Sequence, residues 1–417
     1  MKEPPKKKKT HHSPRQHITT SPIRPVKKNR YSDVEGLAII VLLGIIIYSN
    51  SFDCSFHFDD LRQAFLTALL FVSHPLATQS VTYIVQRMAS MVAMFYLLSI
   101  ALYMKARLLN KGNTSKILLF TGSFISAVAA MFTKENAFTL PFAIVLFEFF
   151  FLRTKKFSIN FKDYRTILLL IAFLAVVLIL PLKFSFSIFK PLPPSPGTAC
   201  TLTPFNYLFT QFSVIIKYIQ LLLLPINQKL DYNFPIADSF FEIRTLLSFL
   251  VLLTLIILAI FSFKRYRIIS FGIFWFFLTL SIESSFIPIY DVIYEHRTYL
   301  PSFGFFLILT SGIYLLLWNR YKYLAISIFV ILIGSDSVLT YARNTIWKDD
   351  LALWNDNVLK TPDKARPFSN RGFAYEKLGQ LDQAVADFSR AIGIDPNNAK
   401  AYSYREMAIR KLQEMKK

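Results

Sequence analysis

RTLLSFLVLLTLIILAIFSF, residues 244–263, carries one charge in twenty positions, and that one at its edge. A run of about 20 apolar residues is what a helix needs to cross the hydrocarbon of a bilayer. The stretch therefore predicts a transmembrane helix, and the rest of the chain repeats it. Similar apolar blocks occupy 34–52, 61–75, 83–104, 116–133, 136–152, 164–182, 207–225, 268–288, 300–318 and 322–341. Hydrophobic residues make up 53% of the 417, with a mean hydropathy of +0.41. Those eleven blocks exclude an ordinary soluble core and predict an all-α, polytopic membrane helix bundle.

The formal net charge is +21, which in a soluble chain would point to nucleic acid. Here the basic residues lie in an N-terminal tail and in short loops between apolar blocks, as topology signals do, so no nucleic-acid partner is implied. The tail, residues 1–33, holds Lys6 to Lys9 and several prolines and predicts a disordered cytoplasmic segment in contact with lipid. Cys54 and Cys200 are the two cysteines. Both are expected in outer loops, where they either pair on oxidation or stay separate thiols.

The positive-inside rule makes the loops Lys105 to Lys116, Arg153 to Arg165, Lys264 to Arg267 and Arg320 to Lys322 cytoplasmic. Between two cytoplasmic loops the number of crossings must be even. Two intervals contain three blocks, so one block in each is expected not to cross fully. The candidates are 61–75, the shortest, and 207–225, which contains Gln211, Lys217 and Gln220 and predicts a re-entrant or interfacial segment. Nine crossings remain, over a membrane domain at 34–343. The acidic loops and the C-terminal module at 344–417 then share the outer face.

From Ala365 onward Phe368, Gly372, Tyr375, Ala384, Phe388, Ala391 and Pro396 fall at the offsets of a tetratricopeptide (TPR) repeat, with Arg371 where the pattern has Leu. One full unit, 365–398, is flanked by partial units, because a 34-residue period also pairs Trp354 with Phe388 and Pro362 with Pro396. Such hairpins bind a protein partner on a concave surface, or here form a lid on the membrane domain.

Chemistry-bearing residues gather at the expected outer face. Asp59-Asp60 supplies a general base for an acceptor hydroxyl, holds a divalent metal, or stands as solvated loop carboxylates. Glu283, Asp291, Glu295, His296 and Arg297 converge within fifteen residues, where Arg297 or His296 can hold a phosphate or an ion-pair network can pin the loop. Lys134-Glu135 and Gln86-Arg87 sit at helix ends, and Asp231 follows Asn227-Gln228. No Ser-His-Asp arrangement, Cys/His metal spacing or Gly-rich phosphate loop is present in the sequence.

Together, Phe58-Asp59-Asp60, His74-Pro75 to Gln86-Arg87, Thr133-Lys134-Glu135, Pro225 to Tyr232, Glu283 to Arg297 and the TPR unit resemble the transmembrane-and-TPR proteins. These are bacterial relatives of the TMTC O-mannosyltransferases in the GT-C glycosyltransferase superfamily. The resemblance implies transfer of a sugar from a polyprenyl-phosphate carrier to an acceptor hydroxyl on the outer face of a bacterial inner membrane. It implies Asp59 as base with Asp60 in support, the donor phosphate on Arg297, His296 or Lys134, and a protein acceptor or partner at the TPR units. It assigns no further cofactor and leaves a divalent metal open. In one respect the chain departs from the family, which has a long outer loop and another transmembrane helix after the acidic motif. Here Leu61-Arg62-Gln63 joins the flanking stretches directly, so the alternative is a shortened, non-catalytic membrane anchor that displays the TPR module.

Overall fold

The computed structural model describes residues 58–109, 113–152 and 202–415, with residues 58–61 and 113 described by their backbone alone. All described residues lie in one compact unit, within Ser55–Lys417. The tail, Cys54, Cys200 and the blocks 34–52 and 164–182 lie outside the described residues.

Every element among the described residues is helical. In order they are α1 (Phe58–Ser73), α2 (Ala77–Thr82), α3 (Arg87–Leu108), α4 (Asn113–Thr133), α5 (Leu140–Phe147), α6 (Pro204–Leu223), α7 (Ile243–Ser262), α8 (Arg267–Leu280), α9 (Tyr299–Ile313), α10 (Lys322–Ile346), α11 (Asp350–Lys360), α12 (Ala365–Lys377), α13 (Leu381–Ile394) and α14 (Ala399–Met415). With their adjoining short helical turns, six stretches are long and apolar enough to cross a membrane: Ile84–Leu108, Thr114–Thr133, Glu135–Leu152, Ile243–Ser262, Glu295–Trp318 and Lys322–Ile346. Arg62–Ser73 and Arg267–Leu280 are shorter apolar helices.

Small and polar residues let these helices approach. Ser99 Oγ donates to the Ser123 carbonyl at 2.9 Å and Ser123 Oγ to that of Ser99 at 2.8 Å, a reciprocal pair joining α3 to α4. At the α8–α9 crossing a methyl group on Gly272 would stand 2.7 Å from the Gly304 carbonyl, and one on Gly304 would meet Gly272 and Trp275. Trp275 closes that contact by donating to the Leu300 carbonyl at 3.0 Å.

The helices have two distinct ends. At one, Lys134 meets Glu283, Tyr83 stacks near Trp347 and the repeat module attaches, so this is called the repeat face. At the other, Arg107 pairs with Glu148, Phe149 stacks on Phe263, and Lys322 lies over Trp318.

Two sequence expectations are sharpened. Helix α6 is one continuous helix, started by Pro204 and by the Thr203 side chain accepting from Asn206 N. Its Tyr207, Gln211 and Tyr218 all bond residues 283–294, so it lies along the repeat face as an interfacial helix and is not a re-entrant turn. Gln211 is used in that contact, whereas Lys217 reaches Gln220 at 3.4 Å on the exposed side. The second concerns 61–75. Helix α1 runs antiparallel to α9, with Gln63 bonding Ser311, Thr67 2.7 Å from Thr310 and Phe71 against Tyr299. It is one of the shorter apolar helices, not one of the six long enough to cross, and what the structure adds is its direction. Its first turn, with Asp59 and Asp60, begins at the end of Trp318 and Lys322, away from the repeat face.

In the repeat module Gly379, at φ +76°, ends α12 and turns the chain into α13. Gly372 lies under the Phe388 ring, where a Cβ would come within 2.9 Å. Ala384, Phe388 and Ala408 form one small core, with Tyr375 against it, and Val358, Ala365, Phe368, Ala391 and Ala401 form another, linking α11 to α14 through the hairpin. Arg371 takes a bidentate bond to Asp387, 2.7 Å on each arm, and reaches Asn355 at 3.1 Å. An inter-helix ion pair thus replaces the usual leucine packing.

Candidate functional site

Four segments converge on the repeat face: the 3-10 turns Glu135–Thr139 and Glu295–Thr298, and the loops 226–242 and 281–294. Asn227 adopts φ +57°, which asparagine tolerates better than most side chains. The neighbouring Gln228 carbonyl accepts from Lys360 Nζ at 2.8 Å.

Arg297 is 3% exposed and held by neutral acceptors. Its Nη2 donates to the Asp291 carbonyl at 2.8 Å, and its Nη1 to the Val292 carbonyl at 3.2 Å and to Tyr207 Oη at 3.4 Å. Tyr207 Oη donates in turn to the Glu283 carbonyl at 2.7 Å. Among the described residues no carboxylate forms a salt bridge with Arg297, so its charge is oriented by dipoles and not cancelled by contact. The other two cations proposed for a phosphate differ. Lys134 is closed into a buried ion pair with Glu283. His296 donates its backbone N–H to Gln79 Oε1 at 2.8 Å, lies beside the Tyr294 ring, and has no hydrogen-bond partner at Nδ1 among the described residues.

The carboxylates are used structurally. Glu295 accepts from the Lys229 backbone N–H and from Tyr232 Oη, both at 2.6 Å, tying the two loops together. Asp291 accepts from Tyr294 Oη at 2.7 Å and takes a bidentate bond from Arg366. Burial pushes the Asp291 carboxyl up, but the hydrogen bonds and charge of Arg366 outweigh it and hold the group below its ordinary value. Asp231 pairs with Lys364 at 2.5 Å and Arg366 at 2.9 Å, yet deeper burial outweighs both and raises its carboxyl. Glu135 is exposed at the start of its turn.

The structure thus brings together Lys134, Glu283, Asp231, Asp291, Glu295, His296 and Arg297. It does not bring Asp59 or Asp60 to them: a 16-residue helix is about 24 Å long, and they start it at the far end. The expectation that the acidic pair, the polar cluster and the repeat share one face is corrected accordingly, because Gln63 with Ser311, Thr67 with Thr310 and Phe71 with Tyr299 make α1 antiparallel to α9. Lys364, Arg366, Gln79 and Tyr207 did not stand out in the sequence. The two cations lie in an ordinary-looking helix start, and only folding shows that they face acidic loops more than 70 residues earlier. Among the described residues no three His, Cys, Asp or Glu side chains cluster as a metal site would require.

The tetratricopeptide repeat family model matches residues 365–398. The chain is 24% identical over 388 residues to human protein O-mannosyl-transferase TMTC3, covering 83% of this chain and 40% of that protein. It is 25% identical over 353 residues to protein O-mannosyl-transferase F38B6.6 of Caenorhabditis elegans, covering 82% and 47%. Against Drosophila melanogaster protein O-mannosyl-transferase Tmtc3 it is 25% identical over 392 residues, covering 81% and 41%. The chain spans less than half the length of these relatives. No solved structure matches it.

Proposed function

From its kinship with the TMTC protein O-mannosyl-transferases, we propose that this chain is a membrane glycosyltransferase that moves a sugar, mannose by analogy, from a polyprenyl-phosphate carrier to an acceptor hydroxyl. The observation that carries this is Arg297. Of the three cations expected to hold the carrier phosphate, it is the one whose charge is aimed by carbonyls and a phenol, with no carboxylate in contact among the described residues. In the reaction the acceptor oxygen bonds the anomeric carbon as the bond from that carbon to the phosphate oxygen breaks. The acceptor proton leaves to a base, and Arg297 stabilises the charge gathering on the departing phosphate. The repeat face is the outer side of a bacterial inner membrane, and the TPR hairpin receives the protein acceptor. No divalent metal is assigned, and Asp59 with Asp60, proposed as base from the family resemblance, is placed by α1 away from Arg297.

That separation favours a second reading, a non-catalytic membrane anchor that displays the TPR module. One experiment divides the two: transfer of labelled hexose from a synthetic polyprenyl-phosphate hexose in membranes holding the wild-type chain, Arg297→Lys or Asp59→Asn. The enzyme reading predicts transfer by the wild type, at least about tenfold less by Arg297→Lys, which loses the guanidinium fork, and wild-type transfer by Asp59→Asn. No transfer by the wild type, with a protein partner lost on deleting 364–417, supports the anchor.

A further inference from the structure

Arg366 stands in the first turn of α12, where the repeat hairpin meets the membrane domain, and its guanidinium divides between two loops. Nε lies 2.9 Å from Asp231 Oδ2, while Nη1 and Nη2 take the two oxygens of Asp291. Two residues earlier, Lys364 reaches Asp231 at 2.5 Å and the Tyr232 carbonyl at 2.9 Å. Each contact leads to the Glu295-His296-Arg297 turn in one further step. The Asp291 carbonyl accepts from Arg297 Nη2, and the Tyr294 ring bonded to the Asp291 carboxylate lies under the Arg297 guanidinium, 5.5 Å to its centroid. On the other loop Tyr232 Oη donates to Glu295.

Among the described residues the apolar clusters of the repeat share no residue with those of the membrane bundle. At the α12 end the joint is therefore carried by directional polar contacts, which fix geometry more than they add affinity. We propose that Arg366 and Lys364 are positioning residues through which the TPR module sets where Arg297 is held, so that the module and the membrane site form one coupled unit. The role of Arg297 itself rests on the function proposed above. By reciprocity, a ligand that favours the ordered Arg297 turn also favours the docked module.

The test uses the full chain in lipid nanodiscs as wild type, Arg366→Ala, Arg366→Lys and Asp291→Asn. Amide exchange is followed separately over 291–298 and over the hairpin 368–394, together with KM and kcat for a polyprenyl-phosphate hexose. The expected result is exchange over 291–298 faster by about tenfold in Arg366→Ala and Asp291→Asn, smaller for Arg366→Lys, with the hairpin protected as in the wild type. KM for the donor rises more than kcat falls. Unchanged exchange over 291–298 in both Arg366→Ala and Asp291→Asn overturns the proposal, as does faster exchange confined to the hairpin. If the exchange responds while even the wild type transfers no sugar, the positioning stands and the glycosyltransferase reading falls. Wild-type KM and undisturbed exchange in Arg366→Ala do the reverse.

Discussion

Arg371 shows how a departure from a repeat pattern is absorbed. Where the TPR pattern has Leu, its guanidinium joins α12 to α13 through Asp387, whose side chain is 9% exposed, and the pairing holds the arginine above its ordinary pKa. Restoring the pattern with Arg371→Leu removes the partner of a nearly buried carboxylate. That costs more than the added apolar contact returns. The expected outcome is a hairpin less stable by about 2 kcal/mol, read by amide exchange over 368–394, with Arg371→Leu plus Asp387→Leu recovering part of the loss. A single Arg371→Leu as stable as the wild type would show that the pair contributes nothing. The pattern break was legible in the sequence, and its compensation was not. Asp387 becomes a partner only after α13 folds back over α12.

Among the elements, α8 and α9 are fixed by the smallest side chains they carry. Gly272 and Gly304 face each other so closely that a Cβ on either meets backbone carbonyl oxygen, which cannot swing aside as a flexible side chain would. Gly304→Ala therefore separates the helices, loosening Trp275 from the Leu300 carbonyl beside the Glu295–Thr298 turn. We expect thermal unfolding in detergent to shift down by several degrees, about 1–3 kcal/mol, whereas Gly334→Ala, with open space at its Cβ, leaves it unchanged. Equal stability of the two variants would count against the close crossing. The apolar blocks marked these helices because length and hydropathy decide bilayer crossing. Segment 207–225 was harder: its polar residues argued against a simple span, and only the partners of Tyr207, Gln211 and Tyr218 at 283–294 show a helix lying along the face.

At the scale of the molecule, the hydrophobic blocks and the TPR offsets made the all-α membrane bundle and its repeat module readable in advance. The family kinship and the match at 365–398 agree with both. What charge and hydropathy did not carry was which helix end each motif occupies, because a parity count weighs blocks by length and not by neighbours. The side-by-side pairing of α1 with α9 reverses the end assigned to Asp59-Asp60, leaving Arg297, the acidic loops and the clamped repeat together without it. Impermeant thiol labelling tests this directly, in intact cells making a chain with Cys54 and Cys200 replaced by serine and one cysteine placed at Asp60 or at exposed Asn397. The account predicts labelling at one position and protection at the other until the membrane is opened; labelling of both from the same side would contradict it.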